Sequence, residues 1–278
     1  MRATERKSYG NPSPRASRTA ATLRLRGVLL IGVLAACWEV AADTRLISPF
    51  LFPAPSAIFN SIQGGFGFAG GNGTLGWHIL LSLYRLLTGL ALATVFGMLI
   101  GVAIGTVKAA RLVLSPILSA LMPIPTLAWT PILLLITGVD NATTIIIVFV
   151  AALFEIVYNV VTAVESTNVR LFWVAQSMGA LRAQVFWKVI LPATLPYLIT
   201  GIKLASGYAW RALIAAEMLA ASSYGLGFMI YDASEYMNMT DIYAGLVVIA
   251  ILGFLLENVL LGWIEEATVL KWGVQVER

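Results

Sequence analysis

Arg211 and Glu217, in the stretch YAWRALIAAEML, are ionisable side chains set inside a run of apolar residues. An ionised group in hydrocarbon is costly, so each such residue is a functional hypothesis by default. A guanidinium is a planar fork of donors that matches a carboxylate, a sulfonate or a nitrate. Arg211 is read either as lining a pathway for an anion or as pairing with Glu155 or Glu257 on another helix. It is not a local partner of Glu217, because six steps of about 100° leave the two about 240° apart around a helix. Glu217 precedes the turn Gly225-Leu226-Gly227 and is read as structural or gating. Arg85 and Lys203 fall near the ends of apolar runs, where long cationic side chains snorkel to the interface. Glu39 completes the set.

Other chemistry is excluded by what the chain lacks. Cys37 is the only thiol and His78 the only imidazole, so no disulfide within the chain and no Cys/His metal cluster can be assembled. There is no G-x-x-x-x-G-K-[ST] phosphate loop. No catalytic residue, metal site or bound cofactor is assigned to this chain. Cys37 is read as a buried apolar residue of the first hydrophobic segment, and His78 as an interfacial residue at the entrance to the second.

The elements that must position these residues are membrane spans. Hydrophobic residues make up 59% of the 278 and charged residues 12%, with a mean hydropathy of +0.86; an average soluble domain carries roughly 25% charged residues. The pI near 9.3 does not mark a nucleic-acid binder, since the basic residues form no stripe interleaved with aromatics. Six segments approach the roughly 20 apolar residues that cross a bilayer: 25–43, 79–107, 112–138, 143–164, 196–221 and 242–264. The first is read as an uncleaved helix, because Glu39 interrupts it and further spans follow.

Six crossings put both termini on one side. The first 26 residues carry Arg2, Arg6, Lys7, Arg15, Arg18, Arg24 and Arg26, Lys108 and Arg111 lie in the second connection, Arg170, Arg182 and Lys188 in the fourth, and Lys271 and Arg278 at the end. The opposite connections hold only Arg45. That asymmetry assigns the N-terminus, the 165–195 connection and the C-terminus to the cytoplasm of a multi-pass membrane protein.

Within the second segment Gly89, Ala93, Gly97, Gly101 and Gly105 recur every four residues. Small residues along one helix face let a neighbour approach closely, so Gly97, Gly101 and Gly105 are read as helix-packing positions; the partner helix is not legible. The third segment is interrupted by Pro116, Pro123, Pro125 and Pro131. Proline removes an N–H donor and clashes with the preceding turn, and irregular backbone at membrane depth is tolerated only where protein or a water-filled cavity covers it. Pro123, Pro125 and Trp129 are therefore candidates for a pathway wall, against the alternative of a merely kinked helix.

Between the fourth and fifth segments lies WVAQSMGALRAQVFWKVILP, Trp173 to Pro192. Val174, Met178, Leu181, Val185 and Val189 recur at helical spacing among Gln176, Arg182, Gln184 and Lys188, which predicts a short amphipathic helix with a local break at Gly179 and a stop at Leu191-Pro192. Such a helix lies on the lipid surface or fills a partner's groove. This loop resembles that of permeases of ABC importers of the type I class, whose form is EAA, three residues, Gly, nine residues, then Ile-x-Leu-Pro. Ala175, Gly179, Val189, Leu191 and Pro192 match in spacing, while Trp173 and Val174 replace the Glu and the first Ala. ISPFLFPAPS at 47–56, PIPTLAWTP at 123–131, LPATLPYLITGIKLA at 191–205 and AAEMLAASSYGLGFMI at 215–230 resemble the taurine, alkanesulfonate and nitrate branch.

The resemblance implies an all-α membrane protein with six transmembrane helices and a cytoplasmic coupling helix. Composition makes 1–24 a disordered basic cytoplasmic tail, and the resemblance implies a first helix and periplasmic loop over 25–76, a permease domain over 77–265 and a cytoplasmic C-terminal tail over 266–278, multi-pass in the inner (plasma) membrane of a bacterial cell. It further implies two permease copies, a homodimer in lipid, around one pathway. Each copy would set its loop into a cytoplasmic ABC ATPase that holds ATP-Mg, and an external substrate-binding protein would deliver a small anion of the sulfonate, taurine or nitrate class. Trp173 in place of Glu implies a grip on the ATPase through apolar contacts. Two alternatives remain at this stage: the same importer for a neutral or cationic metabolite such as a thiamine precursor, and a stand-alone secondary transporter.

Overall fold

Backbone amides that cannot reach water must bond within their own segment, and long runs of Leu, Ile, Val and Ala therefore fold as helices. The computed structural model describes residues 14–67, 74–166, 174–175, 177–221 and 223–268, and no strand occurs among them. The chain divides into two compact units, 1–60 and 61–278.

The first unit is built on α1 (Pro14–Asp43), and α2 (Pro55–Gly65) begins in it. Ser56 donates from its backbone N–H to Glu39 Oε2 at 3.0 Å and from its hydroxyl to Oε1 at 2.5 Å, so Glu39 ties the end of α1 to the start of α2. Cys37, expected to be buried, is exposed. Its surroundings on α1, from Leu29 to Leu34, are exposed as well.

The second unit contains α3 (Leu75–Thr106), α4 (Lys108–Leu121), a 3-10 turn (Thr126–Trp129), α5 (Thr130–Thr137) and α6 (Asn141–Ser166). A short helix α7 (Arg182–Val185) passes through a π-helical turn (Phe186–Ile190) into α8 (Leu191–Ala220). Then come α9 (Leu226–Glu235), α10 (Met239–Phe254), a second π-helical turn (Leu255–Leu260) and α11 (Leu261–Thr268).

The glycine stripe of α3 meets α6. A Cβ built on Gly89, Gly97, Gly101 or Gly105 would fall 2.6, 2.8, 2.7 or 2.6 Å from Val148, Ile156, Val160 or Val164. The partners also recur every four or eight residues with a constant offset, so a ridge of branched side chains on α6 fills a groove of small residues on α3. Because the two numberings rise together, the helices run parallel. The 107–140 segment must then return the chain from one end of the bundle to the other, over the roughly 30 Å from Arg85 to Gly105. It does so with a 94° bend between α4 and the Thr126–Thr137 run, at the break that holds Pro123 and Pro125.

α8 runs the opposite way, since Gly201 meets Asn159 near the end of α6 while Ala212 and Ala216 pack with Ile147 and Ala151 near its start. Arg111 binds Glu165 at 3.1 Å and donates to the Gly105 carbonyl at 3.1 Å, which puts the α3–α4 junction and the end of α6 together at one end of the bundle. Arg85, Asn141 and Glu217 gather at the other. Leu75–Thr106, Asn141–Ser166 and Met239–Glu265 are each long and apolar enough to cross a membrane, and α4 with the Thr126–Thr137 run qualifies as a bent pair. The segment 25–43 lies within α1 and 196–220 within α8; among the described residues neither stands out in this way, and α8 carries Lys203, Arg211 and Glu217, which dilute its apolar character.

Candidate functional site

The polar centre of the bundle is an ion pair between α3 and α8. Arg85 Nη1 donates to Glu217 Oε1 at 2.7 Å, and neither side chain is exposed. Ser82, one turn before Arg85, donates its hydroxyl to the same carboxylate at 2.8 Å, and Arg85 Nε donates to Asn141 Oδ1 at 2.8 Å at the first residue of α6. Arg85 and Lys203 were both expected to snorkel. Arg85 instead points inward and is wholly buried, with Nη1 on Glu217 and Nε on Asn141, while Nη2 is buried without a hydrogen-bond partner among the described residues. Lys203 is half-buried and bonds Glu265 at 2.6 Å.

The same carboxylate completes α9. The first N–H groups of a helix lack intrahelical acceptors and carry partial positive charge. Gly227 N–H donates to Glu217 Oε2 at 3.0 Å and Leu226 N–H to Ser82 Oγ at 2.9 Å, so side chains from two other helices cap α9. His78 Nδ1 lies 2.8 Å from the Gly225 carbonyl oxygen and 3.1 Å from its nitrogen. A Cβ on Gly225 would fall 2.6 Å from Arg85 Nη1, so the turn closes on the ion pair only with glycine there. Above it opens a polar cavity of about 670 Å³, lined by Thr74, His78, Asp232, Tyr236 and Asp241 among others. The sequence signal for this pair was two opposite charges set in apolar helices, Arg85 in α3 and Glu217 in α8.

Arg211 makes no ion pair among the described residues, with Glu217, Glu155 or Glu257. Glu257 lies over the α8 backbone instead, where a Cβ on Gly207 would sit 3.4 Å from both its carboxylate oxygens. Arg211 is exposed, with its guanidinium carbon 5.7 Å from the centroid of the Tyr208 ring. Leu204, Tyr208, Arg211, Met218 and Leu219 form an exposed stripe along α8. Beside α8 stands the broken segment: Leu133 of α5 packs against the buried cluster of Ile147, Ala151, Ala212 and Ala216. Pro123 and Pro125 are exposed, and Trp129 is half-buried with its Nε1 buried and unbonded.

The amphipathic loop is described from Val174 to Pro192 apart from residue 176, while Trp173 lies outside the described residues. One helical turn closes with Met178 N–H on the Val174 carbonyl at 3.1 Å and Ala180 N–H on the Ala175 carbonyl at 3.0 Å. Gly179, at φ +77°, ends it in the left-handed conformation that this C-terminal arrangement requires. A second helix starts at once, with Gln184 accepting from Leu181 N–H at 3.0 Å in the manner of a capping box. The stop expected at Leu191-Pro192 does not occur. The wider π turn at Phe186–Ile190 carries the helix into α8 across the proline, whose missing N–H a regular turn would have needed. Leu191 and Val189 are half-buried and Pro192 is exposed; Val174, Met178, Leu181 and Trp187 present apolar surface outward.

Parallel helices zipped by glycine, a proline-broken span and a buried polar node define an integral membrane helix bundle. Residues 93–269 match the family of binding-protein-dependent transport system inner membrane components, and the chain belongs to that family. It is 36% identical over 230 residues to the taurine transport system permease protein TauC of Escherichia coli strain K12, covering 82% of each chain. It is 33% identical to the putative aliphatic sulfonates transport permease protein SsuC of Bacillus subtilis strain 168, over 89% of this chain and 87% of that one. The nitrate import permease protein NrtB of Leptolyngbya laminosa is 35% identical over 73% of each. The fold is similar to that of the inward-facing MetNI methionine ABC transporter, with a TM-score of 0.56 at 21% identity, covering 72% of this chain and 97% of that one.

Proposed function

We propose that this chain is the permease subunit of an ATP-driven importer and forms the pathway for a small anion of the sulfonate, taurine or nitrate class. The observation that carries the reading is that relatives at 33–36% identity across most of the chain are named for taurine, sulfonate and nitrate transport. The exposed Arg211 stripe and the neighbouring break at Pro123, Pro125 and Trp129 form the pathway wall. α1, α3, the bent α4–α5 pair, α6, α8 and the α10–α11 run make six crossings, with both termini in the cytoplasm; the Lys and Arg distribution supports that orientation. The permease domain covers 77–265.

ATP-Mg is held by a separate cytoplasmic ATPase. The loop from Ala175 through Gly179 to Val189, Leu191 and Pro192 docks on it, and the outward Val174, Met178 and Leu181 supply apolar surface for a cleft. A π-continuous helix from loop to pathway couples the two rigidly, so a push on the loop moves α8 and Arg211 with it. Two copies enclose the pathway, and a binding protein delivers cargo at the Glu217 end. Only differences in interaction between the two states of such a machine drive the switch between them.

The test is reconstitution of the chain with its ATPase and binding protein in liposomes. ATP-dependent uptake of taurine or nitrate, lost when Gly179 and Leu191 are replaced, is the expected result. Uptake by this chain alone on an ion gradient would overturn the reading.

A further inference from the structure

A guanidinium exposed on a membrane-embedded helix face has three ways to lower its energy: an ion pair, a route to the interface, or water. The first is closed, since Arg211 has no carboxylate within ion-pair range among the described residues. The second is contradicted by direction. Arg211 lies six residues before Glu217, about 9 Å along the helix from that end, so the near interface is toward Glu217. Helical side chains lean toward the N-terminus of their helix, and the guanidinium is folded back onto Tyr208, one turn deeper. Hydration remains, so the Leu204–Tyr208–Arg211–Met218 stripe faces an aqueous space.

A guanidinium whose carbon lies 5.7 Å from a ring centroid, with no carboxylate in range among the described residues, keeps N–H groups free for another acceptor. We infer that Tyr208 and Arg211 form an oxyanion contact within the pathway, Tyr208 holding the guanidinium plane so that its edge meets two oxygens of a sulfonate or nitrate. The inference rests on the permease reading and adds to it: the chain itself selects for small oxyanions after the binding protein has released its cargo. Trp129, half-buried with an unbonded Nε1, belongs to the 3-10 turn that packs against α8.

The experiment uses the complete transporter in liposomes, with taurine, methanesulfonate and nitrate as probes. R211Q is expected to lower uptake by about tenfold or more, as for loss of a charged hydrogen bond, while ATP hydrolysis stimulated by the binding protein is retained. Y208L should lose about threefold, the worth of a cation–π contact, and Y208F, which keeps the ring, should recover most of that loss. Uptake by R211Q within about twofold of wild type overturns the inference and leaves the permease reading standing. No ATP-dependent uptake of any probe by the wild type sinks the anion reading instead. Should R211Q fail to assemble, R211C in a chain carrying C37S decides the matter. Labelling by an anionic, water-soluble thiol reagent that taurine or nitrate slows supports the contact. Labelling only by lipid-soluble reagents overturns it.

Discussion

Arg85 and Glu217, 132 positions apart, form a 2.7 Å ion pair with neither side chain exposed. Breaking a buried pair strands a charge at a cost of about 3–5 kcal/mol, whereas removing both partners is far milder. R85Q and E217Q should each lower thermal stability and membrane yield, and the double variant R85M/E217M should lose less than either single change. Melting of the detergent-purified variants measures this; additive losses would contradict the pairing.

The α3–α6 seam predicts a steric response. Gly101→Val adds bulk where a Cβ already meets Val160 at 2.7 Å, and overpacking of this kind costs about 1–3 kcal/mol. Val160→Ala in the same chain should restore much of the melting temperature. A Val160→Ala change without that effect would place the crowding elsewhere.

Gly179 is held at φ +77° with open space around it, so its requirement is conformational. Gly179→Ala should cost about 1–2 kcal/mol through the left-handed backbone, and Gly179→Asn less, since Asn tolerates that region. Co-purification of the ATPase should follow the same order, Gly above Asn above Ala. Equal capture by all three would show that the loop conformation does not govern docking.

The charge distribution supports a sidedness that labelling can test. In a chain carrying C37S, a cysteine placed at Lys108 should react with a membrane-impermeant thiol reagent only in inverted vesicles, and one at Asp232 only in intact spheroplasts. The reverse pattern would invert the proposed topology.

Much of the bundle is written in local patterns. Apolar runs, a four-residue glycine period, four prolines in one segment and the spacing from Gly179 to Pro192 each act over a few turns of helix, so they are visible in one stretch of chain. The break between α4 and α5 occurs where the prolines put it. The family, too, was legible from Gly179 and Val189 to Pro192 together with the longer matching stretches. Continuation of the helix through Pro192 was not, because it depends on a π turn whose register no propensity announces.

Sequence alone determined that this is a helical membrane protein of a binding-protein-dependent transport family, since hydropathy, charge asymmetry and short motifs are local quantities. Only the tertiary structure decided which charges meet. Arg85 found Glu217 rather than the interface, Arg211 was left on an open face, and the glycine stripe found α6. Those outcomes depend on which helix ends share a level of the bundle, and that is set by packing across segments far apart in the chain.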